Sequence, residues 1–191
     1  MMTAQISIQE TPNPLSLKFL LDVPVIPLDL TPVRTFFVKN DIVVGCPFAK
    51  EILAIEHIQA AFLGRNFITI SKTISGDWFA LKPQIMALLE KYTKIEFFER
   101  AAPQFDATFT QTFDDNGVSA KIMELINTRV RPAVLQDGGD IIFDHFDEGV
   151  VYVRMQGACV GCPSSNATLK MGIERMLKYF VPSVQSVEQL I

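Results

Sequence analysis

The chain has 191 residues, enough for one large domain or two small ones, and 49% of them are apolar, including 15 Phe, so material for a packed core is plentiful. Its 17 basic and 21 acidic residues leave a net charge of −4, which argues against the broad basic face that nucleic acid demands. No apolar run approaches the ~20 residues of a membrane-crossing helix, so neither nucleic acid nor membrane is an expected partner.

In chain order, residues 6–9 and 16–20 read as extended stretches around the turn Thr11-Pro12-Asn13-Pro14. Both prolines lack an N–H and push the preceding residue out of the helical region. Pro47 opens a short helix to Ile55, with Ile52, Leu53 and Ile55 inward. Two strands follow, 57–63 and 67–72, joined by Gly64-Arg65-Asn66. Asp77 caps the next helix, whose second part runs from Pro83, at a first turn, to about Tyr92. Residues 1–100 thus form one small mixed α/β domain. The stretch 101–116 reads as a linker in which Phe105, Phe109 and Phe113 recur at helical spacing and dock onto a domain; a binding segment is the sharper alternative.

From 117 to 191 a second mixed domain is expected. A helix over 118–131 carries the stripe Ile122, Leu125, Ile126, Val130 and is kinked or ended by Pro132. Gly138-Gly139 supply a tight turn. Strands 141–147 and 150–156 form a hairpin through Glu148-Gly149, with Val151, Val153 and Met155 on its buried face. A helix over 164–180 turns Leu169, Ile173, Met176, Leu177 and Phe180 inward, and the tail 183–190 adds a strand. The expected class is α+β: two small mixed α/β domains, the second a helix–hairpin–helix with its cysteine loop between strand and helix.

Chemistry concentrates in Gly157-Ala158-Cys159-Val160-Gly161-Cys162-Pro163-Ser164-Ser165. Two thiols three residues apart can face one metal centre, and Gly161 lets the loop fold between them. Pro163 and Ser164 suit a helix start, where unpaired N–H groups and the helix dipole would lower a Cys pKa and favour thiolate. Common iron–sulfur clusters and structural zinc both want four ligands, whereas this site offers Cys159 and Cys162. Cys46 reads as a small buried residue, and His57 and His145 as surface or packing residues. Two chains, each giving its pair, are the simplest route to four thiolates. A cluster held so can be released by separating the chains, which describes delivery better than storage. Zinc at the same shared site stays open. A thioredoxin-like oxidoreductase is the enzyme alternative, but too little chain follows Cys162 for that fold.

With Val130-Arg131-Pro132, Asp137-Gly138-Gly139-Asp140, the cysteine loop and Thr168-Leu169-Lys170, the C-terminal half resembles the NifU-like C-terminal family of Nfu-type iron–sulfur scaffold and carrier proteins. The first hundred residues resemble the Nfu N-terminal domain through Thr11-Pro12-Asn13-Pro14, Ser16-Leu17-Lys18-Phe19 and Phe67-Ile68-Thr69-Ile70. The resemblance implies a [4Fe–4S] cluster bridging a homodimer through Cys159 and Cys162. It implies apo iron–sulfur proteins as acceptors, upstream cluster assembly proteins as donors, and no separate catalytic residues. Cys46 maps to no motif position. Met1–Glu10 shows neither an apolar signal core nor an Arg-rich amphipathic stretch. Three cysteines are too few for a disulfide framework. The expected compartment is therefore a bacterial cytoplasm, or the mitochondrial matrix if a presequence has been removed.

Overall fold

The computed structural model describes residues 5–26, 35–43, 45–94, 117–162 and 169–190. The first sheet holds β1 (Ile6–Glu10), β2 (Ser16–Leu21), β3 (Phe36–Val38), β4 (Ile58–Leu63) and β5 (Phe67–Lys72). Their order is β1-β2-β5-β4-β3, with every neighbouring pair antiparallel. The short β3 escapes the sequence reading because Phe36-Phe37-Val38 offers three residues, too few to show alternation. His57, expected to begin a strand, instead precedes β4 in a turn, at a φ of 65°.

Period-two alternation gives this sheet two different faces. Leu17, Phe19, Ile68 and Ile70 point to the side covered by α1 (Pro47–Ala54) and α2 (Trp78–Tyr92), where they meet Phe48, Ile52, Ile85 and Leu89. Asp77 caps α2 as expected, accepting a hydrogen bond from the Phe79 N–H at 3.0 Å. Pro83, however, lies inside α2 rather than opening a helix. The burial of Leu81, Ile85, Leu89 and Tyr92 on either side of it outweighs the missing hydrogen bond.

The opposite face carries Ser16, Lys18, Phe62, Phe67 and Thr69. These residues are buried too, yet they lie outside the cluster under the helices. What covers them is the other half of the chain.

That half begins with α3 (Val118–Leu125), passes through a π-helical turn at Ile126–Val130, and continues as α4 (Arg131–Gln136). The expected stripe Ile122, Leu125, Ile126, Val130 is buried. Pro132 kinks the path without ending it: the Arg131 N–H reaches back to the Ile126 carbonyl, widening the helix where the proline ring needs room. The second sheet is β6 (Gly139–Asp147), β7 (Val150–Gly157) and β8 (Ser186–Leu190). β6 and β7 pair antiparallel and β8 lies parallel to β7. Glu148 and Gly149 both adopt positive φ, 44° and 87°, as a two-residue primed turn requires.

Val151, Val153 and Met155 face a core shared with Ile122, Ile141 and the buried side of α5 (Lys170–Phe180). Phe180 is not inward as its spacing suggested. At the last turn of α5 it lies exposed beneath the Arg129 guanidinium, 4.4 Å from the ring centroid. The described architecture is α+β, with one hydrophobic cluster on each sheet. The expected helix start at Pro163-Ser164 and the linker phenylalanines lie outside the described residues.

Candidate functional site

Strand β7 ends at Gly157, whose φ of 63° turns the chain into the cysteine loop. The loop is closed by the Val160 N–H on the Gly157 carbonyl at 3.2 Å, and the Ala158 N–H bonds the Gly138 carbonyl at 3.1 Å. Cys159 then packs on Gly139: a Cβ there would stand 2.4 Å from the Cys159 Sγ. The diglycine therefore does more than turn the chain. Gly139 vacates the space that the thiol fills. Its neighbour Asp140, 4% exposed, receives both arms of the Arg131 guanidinium at 2.7 and 2.8 Å and also accepts the Ile141 N–H. That fork ties α4 to the start of β6, beside the thiol.

Cys159 and Cys162 are buried, at 5% and 2% exposure, and line one cavity of about 510 Å³ together with Asp137, Ile173 and Met176. The sequence reading put this pair in a wet helix-start setting with depressed pKa. The structure corrects that for Cys159. Burial pushes its thiol up from 9.0 to about 12, and the nearby Cys162, Asp137 and Asp140 add to the rise. In this arrangement Cys159 holds its proton.

Most of the cavity wall comes from the second half of the chain, and among the described residues the first half adds one to it. Pro12 lines it. Beside it, the Asn13 amide donates both its hydrogens into the cysteine loop, to the Ala158 carbonyl at 3.0 Å and the Val160 carbonyl at 3.1 Å. Lys18, from the reverse face of the first sheet, donates to the carbonyls of Leu135 and Gln136 at 3.1 and 2.9 Å, where α4 ends. Burial lowers the Lys18 pKa, while Asp137 pulls it back up. Gly138 and Gly157 let the two halves approach: a Cβ on the first would lie 2.8 Å from Thr69 Oγ1, and on the second 2.8 Å from a Phe62 ring carbon. Asn13 and Lys18 went unassigned in the sequence reading. Lys18 did leave a trace, as the one charged residue in its strand.

The other candidates lie elsewhere. Cys46 is the N-cap of α1, buried in the cluster under the first sheet. His57 is held by Thr73 and Ser75, and His145 stacks on Tyr152 at 4.3 Å with its Nδ1 on Asp144. Among the described residues, no group of three or more His, Cys, Asp or Glu is placed to hold a metal ion.

Residues 6–96 match the family described as "Scaffold protein Nfu/NifU N terminal", and residues 122–188 match the NifU-like domain. The chain belongs to the Nfu-type scaffold family. Its Nfu N-terminal and NifU-like domains stand in the order that the sequence motifs implied. Among curated relatives, the protein named "NFU1 iron-sulfur cluster scaffold homolog, mitochondrial" of Drosophila grimshawi is 40% identical over 188 residues. That match takes in 97% of this chain and 61% of the relative. The protein of the same name in Drosophila persimilis is also 40% identical, across 97% of this chain and 64% of its own length. This chain thus spans less than two thirds of either. A solved NifU-like protein from Saccharomyces cerevisiae overlaps 52% of this chain and 87% of its own at 24% identity, with a TM-score of 0.44, too slight a likeness to bear on fold or function.

The names of these relatives overturn the expectation of a bacterial cytoplasmic protein, since each is called mitochondrial. The physical reason is that a cellular address resides in a segment separate from the folded domains, so core and site residues carry no trace of it.

Proposed function

We propose that this Nfu-type protein carries an iron–sulfur cluster as cargo, held by Cys159 and Cys162 from each of two chains, and passes it to apo-proteins without itself catalysing a reaction. The observation that carries this reading is the pairing of two thiols at one cavity in a chain whose third and last cysteine, Cys46, is locked in a different core. A tetrathiolate cage therefore cannot be completed within one chain, and a second chain is the symmetric source of the missing pair. We take the cluster to be [4Fe–4S], the compartment to be mitochondrial as the relatives' names suggest, and the donors and acceptors to be other iron–sulfur proteins. Residues 1–100 and 117–191 act as separate units joined by 101–116. A cage that straddles two subunits lets an acceptor's thiols replace the donor's one at a time.

The test is anaerobic reconstitution with iron and sulfide, followed by metal, acid-labile sulfide and mass determination. The expected result is one cluster per two chains and a doubled mass. Zinc without sulfide at the same stoichiometry would replace the cargo by a structural metal, and one cluster per monomer would remove the shared site. Cys159→Ser and Cys162→Ser abolish loading, whereas Cys46→Ser leaves it unchanged.

A further inference from the structure

A shared cluster needs thiols that a second chain can reach, yet both thiols are covered, and part of the cover comes from a turn more than a hundred residues away in sequence. That turn is built to hold its shape. The Asn13 carbonyl accepts the Ser16 N–H and the Thr11 hydroxyl, both at 2.9 Å, and the Asn13 Oδ1 accepts the Leu15 N–H at 3.0 Å. With its oxygen engaged inside the turn, the amide can present only its NH2 group outward, and both hydrogens land on carbonyls that flank Cys159. The Asn13 side chain is 3% exposed, so these bonds lie out of competition with water.

The rest of the contact combines apolar packing with polar groups that are not all satisfied. Two buried polar atoms, Thr69 Oγ1 against Gly138 and Gln156 Oε1 on the residue before Gly157, have no hydrogen-bond partner among the described residues. Such atoms weaken a closed surface and are satisfied by water once it opens. The reverse face of the first sheet mixes the phenylalanines Phe62 and Phe67 with polar groups, Ser16 and Ser71 bonded to each other at 2.7 Å beside Lys18 and Thr69.

We infer that Asn13 is a positioning residue for the cysteine loop: its amide, seconded by the Lys18 ammonium on the end of α4, clasps the Nfu N-terminal domain over Cys159 and Cys162 and sets when these thiols can be reached. Release of the clasp uncovers them to a second chain. The inference concerns access alone and stands whether the cargo is a cluster or zinc.

The experiment is alkylation of the metal-free full chain with iodoacetamide, with labelling of each cysteine followed by peptide mass spectrometry. Asn13→Asp keeps the acceptor that holds the Leu15 N–H but cannot donate to Ala158 and Val160. It is expected to speed labelling of Cys159 and Cys162 by about tenfold or more, the effect of two lost hydrogen bonds, and to leave Cys46 at its wild-type rate. Lys18→Met, which keeps the stem and drops the ammonium, is expected to do the same to a lesser degree. Wild-type labelling rates at Cys159 and Cys162 in Asn13→Asp overturn the inference. If all three cysteines speed up together in Asn13→Asp, the fold itself has loosened and Lys18→Met decides by the same criterion; a uniform rise there too makes the contact structural and overturns the clasp.

Discussion

Gly139 is the residue on which the thiol site rests. A methyl group there collides with the Cys159 Sγ at 2.4 Å and with the Gln156 carbonyl oxygen at 2.9 Å, and neither neighbour can give way without moving the loop. Gly139→Ala is expected to cost about 1–3 kcal/mol, as overpacking does, and to reduce cluster loading; denaturant unfolding and iron content measure the two effects. Cys159 brings a dependence on pH. Its folded pKa, raised by burial, exceeds the ordinary value of 9.0, so its contribution is fully present below pH 9.0 and is lost as pH rises toward about 12. Wild-type protein should therefore lose stability more steeply above pH 9.0 than Cys159→Ser, by up to about 1.4 kcal/mol per pH unit. Equal slopes would mean that the thiol is wet in solution. If Cys159 holds cargo as proposed, the same burial means that loading requires the covered thiol to give up its proton, since a metal takes thiolate.

Two elements carry the site, and each owes its geometry to a local exception. The π-helical turn at Ile126–Val130 lets α4 run on past Pro132, which puts Arg131 where its fork meets Asp140. The hydrogen bond to Asp140 holds the Arg131 pKa above its ordinary value despite partial burial. Arg131→Ala strands a buried carboxylate beside the cysteine loop and is expected to cost about 2–3 kcal/mol. Arg131→Lys should recover only part, because an ammonium cannot make both bonds at once. At the far end of the β6–β7 hairpin, Glu148 sits at a φ of 44°, a conformation that asparagine tolerates better. Glu148→Asn is expected to stabilise the chain by about 0.5 kcal/mol without touching the site. A rise in thermal midpoint with unchanged thiol labelling checks it.

At the scale of the molecule, the interface between the two sheets' halves couples stability to access. Thr69 is 1% exposed, and its hydroxyl, against Gly138, has no hydrogen-bond partner among the described residues. Thr69→Val keeps the shape and removes the orphaned group, so it should strengthen the closed arrangement by about 1 kcal/mol. Alkylation of Cys159 and Cys162 should slow accordingly. Unchanged labelling would separate this surface from the control of the thiols.

The sequence by itself determined what local periodicity and spacing can carry: the Cys159–Cys162 pair, the Glu148-Gly149 hairpin, the Asp77 cap, the α3 stripe and the alternation along β7. It also determined, through three cysteines, that four thiolates exceed one chain. It misplaced Pro83 and Phe180, because a proline's cost and a helix's last turn are judged against burial that no local window contains. Only the tertiary structure decided that the reverse face of the first sheet is covered, that Gly138 and Gly157 serve close approach, and that Asn13 reaches Ala158 across 145 positions. Those contacts depend on two separately patterned halves meeting. Period and composition describe each half alone, and the meeting is what brings Pro12 and Asn13 against a loop whose Cys159 already packs on Gly139 within the second half.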